Sequence, residues 1–300
     1  MDTTHPIVLA HGIARFDVLL RRLDPDAAGP IADGTHYFRR IRSTLEAVDG
    51  YHFQVHQPIV TWAAGVEVRA RDLWNYVRTL EGPVHIIAHS MGGLDARHML
   101  YGFRAAGAVE RVASITTIGT PHFGTSFADW GLELGDELLR VLDAIGIDGV
   151  DGFRDLSTAA CQEFDARVRS FEESCGVLFQ TYAGAQPFLR TFAPLKFAWL
   201  VIHERDRAHD GGANDGLVPL YSARWRPSCY QGRLDADHLN QIGWCDPDEL
   251  SRPFIPSPER DGAQRRALEE QIRDVYVAIA KRLAARFPAS RSQRGGGATC

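Results

Sequence analysis

Apolar strands alternating with amphipathic helices predict an α/β protein, a mostly parallel sheet flanked by helices on both faces. Two observations carry this expectation. The stretches 6–10 (PIVLA), 84–88 (VHIIA) and 112–119 (VASITTIG) are nearly continuous in apolar residues, as strands covered on two faces must be. Between them, 66–80 places Val66, Ala70, Leu73, Val77 and Leu80 at helical spacing along one stripe. No internal repeat and no linker interrupts the pattern, so residues 1–288 read as one domain. The glycine-rich stretch 289–300 reads as a disordered tail.

Taken in order, the first strand closes at His11-Gly12, and 37–48 reads as a helix stopped by Gly50. Residues 52–60 alternate well enough for a strand, and the helix over 66–80 ends at Gly82-Pro83. The strand 84–88 runs into a helix over 92–105, followed by the strand 112–119. In 125–152, Leu134, Leu138, Val141 and Ile145 recur at helical spacing, which predicts a helical segment whose apolar face is either ordinary core or a lid. Beyond it, 156–168 reads as a helix, 176–184 and 197–204 as strands, and 265–287 as a long closing helix.

The composition is that of a soluble globular chain, with 45% hydrophobic and 24% charged residues. A net charge of −5 argues against nucleic acid as a partner. No apolar run is long enough to span a bilayer. The start, MDTTHPIVLAHG, has no basic region followed by an apolar core and a cleavage site, so a cytoplasmic chain is expected unless a leader was trimmed. Five cysteines without metal-ligand spacing read mostly as reduced structural residues, with one pair free to bridge in an oxidising compartment.

The chemistry is concentrated around VHIIAHSMGG (84–93), where a buried strand turns sharply at Ser90. Such a serine is either a plain helix cap or a nucleophile lifted clear of the sheet by a strained elbow. A serine nucleophile needs a base, an acid to orient that base, and donors for the oxyanion. On a sheet of this kind the chain order is serine, acid, histidine. Of twelve histidines, only His238 follows residue 209. Asp215, in NDGLVP and followed by the small Gly216, is the favoured acid, with Asp206 and Asp210 as rivals on the same loop. Asp235 and Asp237 are too near His238 in sequence to fold back onto its ring. The backbone N–H of Met91, after the serine, and that of Ile13, in VLAHGIARFD, are the expected oxyanion donors. His89 is expected to lean away from the reaction.

Together, PIVLAHGIARFD, VHIIAHSMGG, TTIGTPHFGTSFAD, ANDGLVP and DADHLNQIG resemble the bacterial triacylglycerol lipases of the α/β-hydrolase superfamily over roughly residues 6 to 245. The resemblance implies Ser90 as nucleophile, Asp215 as acid, His238 as base, and Ile13 and Met91 as oxyanion donors. It also implies a lid in the segment after 112–119. Two departures stand out: Ala88 replaces the usual first glycine of the elbow, and Asn240 and Leu195 stand near the positions of the family's calcium-binding aspartates. No metal and no cofactor are therefore expected. The expected function is hydrolysis of carboxylic esters of lipids through an acyl-enzyme, with a lipid or other ester as partner and transient contact with a lipid interface. The same machinery also serves acyltransferases and thioesterases, and the same fold serves non-catalytic binding proteins.

Overall fold

The apolar run at 84–89 lies inside a six-stranded parallel sheet, which is why both of its faces are buried. The protein is seen here as a computed structural model that describes residues 2–3, 5–13, 33–34, 36–61, 64–135, 151–245 and 262–288. In chain order the first elements are β1 (Asp2–Thr3), β2 (Ile7–Ala10), α1 (Ile41–Glu46), β3 (Tyr51–His52), β4 (Val55–His56) and α2 (Val66–Val77). Next come β5 (Val84–His89), α3 (Met91–Gly102), α4 (Ala108–Arg111), β6 (Val112–Ile118) and α5 (Ser126–Glu133). The last are α6 (Asp151–Arg154), α7 (Thr158–Ser174), β7 (Leu178–Gly184), α8 (Lys196–Arg205), α9 (Leu220–Arg224), β8 (Tyr230–Leu234) and α10 (Gly262–Arg286).

The strand order is β4-β2-β5-β6-β7-β8, and every pairing in this sheet is parallel. Alternate residues feed two cores, as the pleat requires. Ile7, Leu9 and Ile87 pack with Phe38, Ile41 and Leu45 of the α1 region and with Tyr276, Ile279 and Leu283 of α10. On the other face Val8, Ile86 and Ala88 pack with Ala70, Leu73 and Val77 of α2 and with Ala96, Met99 and Leu100 of α3. A buried ionic cluster ties α7 to α3: Arg97 donates to Asp165 at 2.8 Å and to Glu172 at 2.7 Å, with its guanidinium 4.4 Å from the Trp225 ring.

Three expectations need correction. The run 197–204 is not a strand but α8. Ala198 and Ile202 are buried four residues apart while Phe197 and Leu200 are exposed, a helical period that so short an apolar run conceals. The sixth strand is instead β8, whose sequence YQGRL lacks a strand signal because it forms one edge of the sheet and is half solvated. The strand expected over 52–60 reduces to β3 and β4, two residues each, since Pro58 supplies no N–H to extend the ladder. Other boundaries move modestly. α1 begins at Ile41 behind Arg40 in a left-handed conformation, and α7 runs on to Ser174 from a Ser157 cap. Within the expected lid, α5 covers Ser126–Glu133 with Leu134 at its end. Leu138, Val141 and Ile145 lie outside the described residues, as does the whole of 289–300 with its cysteine.

Candidate active site

Ser90 joins β5 to α3 with φ 56° and ψ −134°, a conformation that costs a residue with a Cβ of order 1–3 kcal/mol. Neighbouring backbone holds it there. Ser90 N donates to the Ile118 carbonyl at 3.0 Å, and Thr120 Oγ1 donates to the Ser90 carbonyl at 2.8 Å. Two positions on, a Cβ at Gly92 would lie 2.4 Å from the Ala10 carbonyl oxygen, so only glycine lets α3 start this close to β2. The loop after β2 is equally near: a Cβ at Gly12 would lie 2.8 Å from Ser90 Cβ. Ala88, buried in the strand, fits where the elbow usually has glycine.

His238 follows β8, and Asp215 lies on the loop after α8. The structure brings them together twice: His238 N donates to the Asp215 carbonyl at 2.8 Å, and His238 Nδ1 lies 2.8 Å from Asp215 Oδ2. An ionised carboxylate only accepts, so Nδ1 carries the proton and Nε2 is left as the proton acceptor. Asp215 is fully buried, and its other oxygen accepts from Leu217 N at 3.0 Å and Val218 N at 2.8 Å. Gly216 beside it has φ 100°, the left-handed freedom this tight turn uses.

The rival acids go elsewhere. Asp206 accepts from Ser126 Oγ at 2.5 Å and its carboxyl is pushed up by burial, while Asp210 pairs with Arg224 at 3.1 Å. Asp235 pairs with Arg190 at the surface, and Asp237 accepts from the backbone N–H groups of Phe192, Leu239 and Asn240.

The two residues expected to supply the oxyanion donors belong to one apolar cluster. Met91 N–H belongs to the first turn of α3, where backbone donors have no helical partner. Ile13 packs on the apolar cluster that contains Met91, Leu94 and Leu156. A residue not anticipated from sequence governs its loop. Arg69 of α2, fully buried against Asp95 of α3, donates through Nη2 to the carbonyls of His11 at 2.8 Å and Gly12 at 3.2 Å. His11 Nδ1 adds a 2.8 Å contact to the Gly12 carbonyl. Across a trans peptide the C=O and N–H point opposite ways, so holding the Gly12 oxygen turns the Ile13 N–H to the other side of the peptide. Arg69 sits at the i+3 position from Val66, on the stripe that packs inward. An arginine on an apolar stripe was the available signal.

His89 also departs from expectation. Its ring does not lean away; it lies 4.4 Å from the His238 ring, with Nδ1 2.7 Å from Tyr37 Oη. Burial, reinforced by His238, pushes its pKa well below the ordinary histidine value, so it faces His238 as a neutral ring.

A calcium ion finds no fit at the positions where the resemblance would place one. The Asn240 amide donates to the Trp244 carbonyl at 2.9 Å, and Leu195 is a buried apolar side chain, whereas Ca²⁺ asks for charged oxygens. Among the described residues no group of three or more His, Cys, Asp or Glu side chains is arranged to hold a metal ion.

A parallel sheet of this order, with a strained serine turning a central strand into a helix, is the α/β-hydrolase fold. Solved structures agree on the fold. A metagenomic carboxyl esterase superposes with a TM-score of 0.65 over 95% of this chain and 76% of its own, at 18% identity. EstA from Clostridium botulinum superposes with a TM-score of 0.61 over 96% and 89%, at 16% identity.

In sequence the chain is similar to triacylglycerol lipases. It is 33% identical to triacylglycerol lipase 2 of Saccharomyces cerevisiae over 170 residues, 54% of this chain and 46% of that protein. It is 32% identical to the triacylglycerol lipase of Pseudarthrobacter phenanthrenivorans over 133 residues, 43% of this chain and 36% of that protein. The match thus spans less than half the length of these curated relatives. No family model matches the sequence.

Proposed function

We propose that this chain is a serine hydrolase that cleaves carboxylic esters of lipids through an acyl-enzyme. The observation that carries the proposal is the acid–base pair of Asp215 and His238 on the loops that flank the Ser90 elbow, together with similarity to named triacylglycerol lipases. His238 Nε2 takes the proton of Ser90 Oγ as that oxygen attacks the ester carbonyl. The N–H groups of Met91 and Ile13 hold the oxyanion. Asp215 stabilises the imidazolium, the alcohol leaves with the proton on His238, and water then attacks the acyl-enzyme by the same route in reverse. No step calls for a metal or cofactor.

The substrate class rests on the relatives' names and on the apolar 125–152 segment, read as a lid over an acyl-binding surface. Among the described residues no helix is long and apolar enough to cross a membrane, so contact with lipid is proposed as transient and peripheral. The test is hydrolysis of p-nitrophenyl esters from short to long chains, with and without emulsion, alongside Ser90→Ala. The reading expects hydrolysis that rises at an emulsified long-chain interface. It also expects Ser90→Ala to lose about 10⁴-fold or more in turnover and all fluorophosphonate labelling. Labelling that persists in the variant would move the nucleophile elsewhere, and transfer to an added alcohol in preference to water would favour an acyltransferase.

A further inference from the structure

Gln241 lies in the short turn Asn240–Ile242, just past His238, with its side chain fully buried. Its amide is wedged between the C-terminal ends of two strands. A Cβ on Gly119 would stand 2.4 Å from Oε1, and one on Gly184 would stand 2.2 Å from Nε2. From this slot Nε2 donates to Asp215 Oδ2 at 2.7 Å, the same oxygen that faces His238 Nδ1 at 2.8 Å. Asp215 therefore meets four donors, two at each oxygen.

Space-filling alone does not account for the amide. Gln241 Oε1 is buried with no hydrogen-bond partner, a cost that an apolar side chain of the same length would not carry. The opposite rotamer would turn that oxygen onto the carboxylate, so the amide orientation is set by the charge on Asp215. The backbone is held too: Gln241 N donates to the Asp237 carbonyl at 3.2 Å, and Tyr276 Oη of α10 donates to the Gln241 carbonyl at 3.0 Å.

We propose that Gln241 is a positioning residue for the acid–base pair: its amide fixes the rotation of the Asp215 carboxylate and shares Oδ2 with His238, setting the pH at which His238 becomes a base. The inference rests on the roles proposed above for Ser90, His238 and Asp215. Sharing matters because a second donor on one oxygen drains charge from the bond to His238. With that donor removed, Oδ2 draws the Nδ1 proton more strongly and the imidazolium is favoured. Among the described residues, the other titratable or charged groups at this corner include the neutral His89 ring against His238, Tyr37 on His89, Asp237 on the same loop, Tyr276 on the Gln241 carbonyl, and Arg39 over the Trp244 ring.

The experiment measures the rate of fluorophosphonate labelling of Ser90 against pH, with kcat and KM on a soluble ester, for Gln241→Met and Gln241→Glu. The Met variant should move the acidic limb upward by about one pH unit, the scale of one hydrogen bond to a carboxylate, with KM unchanged. The Glu variant should stay nearer the wild type on the acidic limb, because two adjacent carboxylates hold a proton between them there and the protonated acid still donates to Oδ2. Acidic limbs that coincide with the wild type in both variants, whatever happens to melting temperature, would overturn the proposal. Failure of both variants to fold would assign Gln241 to packing alone and overturn it equally. Asp215→Asn and His238→Gln separate the two levels. If these retain full labelling, the underlying reading fails; if they are inactive while the Gln241 variants keep the wild-type profile, only the role of Gln241 fails.

Discussion

Asp215 is a carboxylate with no exposure to solvent, and what surrounds it decides which aspartate serves His238. The two rivals on its loop and the two aspartates beside His238 are all committed elsewhere: Asp206 to Ser126, Asp210 to Arg224, Asp235 to Arg190, Asp237 to backbone amides. Asp215→Asn should therefore lower kcat by about 10⁴-fold, since an amide favours the wrong tautomer of His238, while circular dichroism reports an intact fold. Asp206→Asn should leave kcat within a few-fold; a loss equal to that of Asp215→Asn would show that the pairing seen here is not the working one. Choosing Asp215 from sequence relied on the strand-then-loop pattern and on Gly216. The strand invoked just before it is in fact helix α8, so the pairing with His238 was anticipated from a structural context that the fold does not have.

At the scale of elements, α2 and α3 meet through Arg69 and Asp95, and that contact reaches the loop after β2. Removing Arg69 alone would strand a buried carboxylate, which typically costs about 3–5 kcal/mol. Arg69→Met combined with Asp95→Leu avoids this by replacing the pair with apolar volume. The double variant still leaves the His11 carbonyl without its donor, so it should melt a few degrees below the wild type and lose about 10²–10³-fold in kcat, the range seen when one oxyanion donor is lost. Unchanged kcat in a well-folded double variant would mean that the loop holds its shape without Arg69. The loop after β8 carries a separate expectation. With Asn240 committed to Trp244 and Leu195 apolar, EDTA should leave the melting temperature unchanged. A drop of several degrees would show that calcium binds after all. These elements were only partly readable from the chain. An arginine on an apolar helical stripe is visible in sequence, but its target, the carbonyls of His11 and Gly12, is not.

For the whole molecule, buried histidines set how stability depends on pH. Burial pushes His85 down to about 4, helped by His5, and holds His89 and His122 well below the ordinary value of 6.5. In the unfolded chain these rings titrate near 6.5, so below that pH the unfolded state binds more protons than the folded one. Their contribution to stability is thus fully present above about pH 6.5 and is lost as pH falls toward the folded pKa values. Between pH 6.5 and 4, each such ring should weaken folding by about 1.4 kcal/mol per pH unit. His85→Gln, which can keep the contact to Ser114 Oγ seen at 2.8 Å, should flatten the denaturation profile by that slope. An unchanged slope in urea titrations between pH 6.5 and 4.5 would show that His85 titrates freely in the folded chain.

What the amino-acid sequence determined by itself was the class of fold and the candidates for the chemistry. Continuous apolar strands such as 84–89 announce burial on two faces, and Ser90 among small residues at the end of one marks a turn that larger neighbours would block. Those signals are local, written in composition and in spacing of a few residues. The tertiary structure decided what depends on distant partners. It made 196–205 a helix by packing Ala198 and Ile202 while Phe197 and Leu200 face out, and it made the weakly patterned 230–234 a strand by pairing it with β7. It also paired Asp215, among several aspartates, with His238, set Arg69 on the loop before Ile13 and placed Gln241 on Asp215, joining residues from 23 to 58 positions apart. Hydrogen bonds and ion pairs of that reach leave no periodicity in the chain, because each is specified only once both partners have been folded into place.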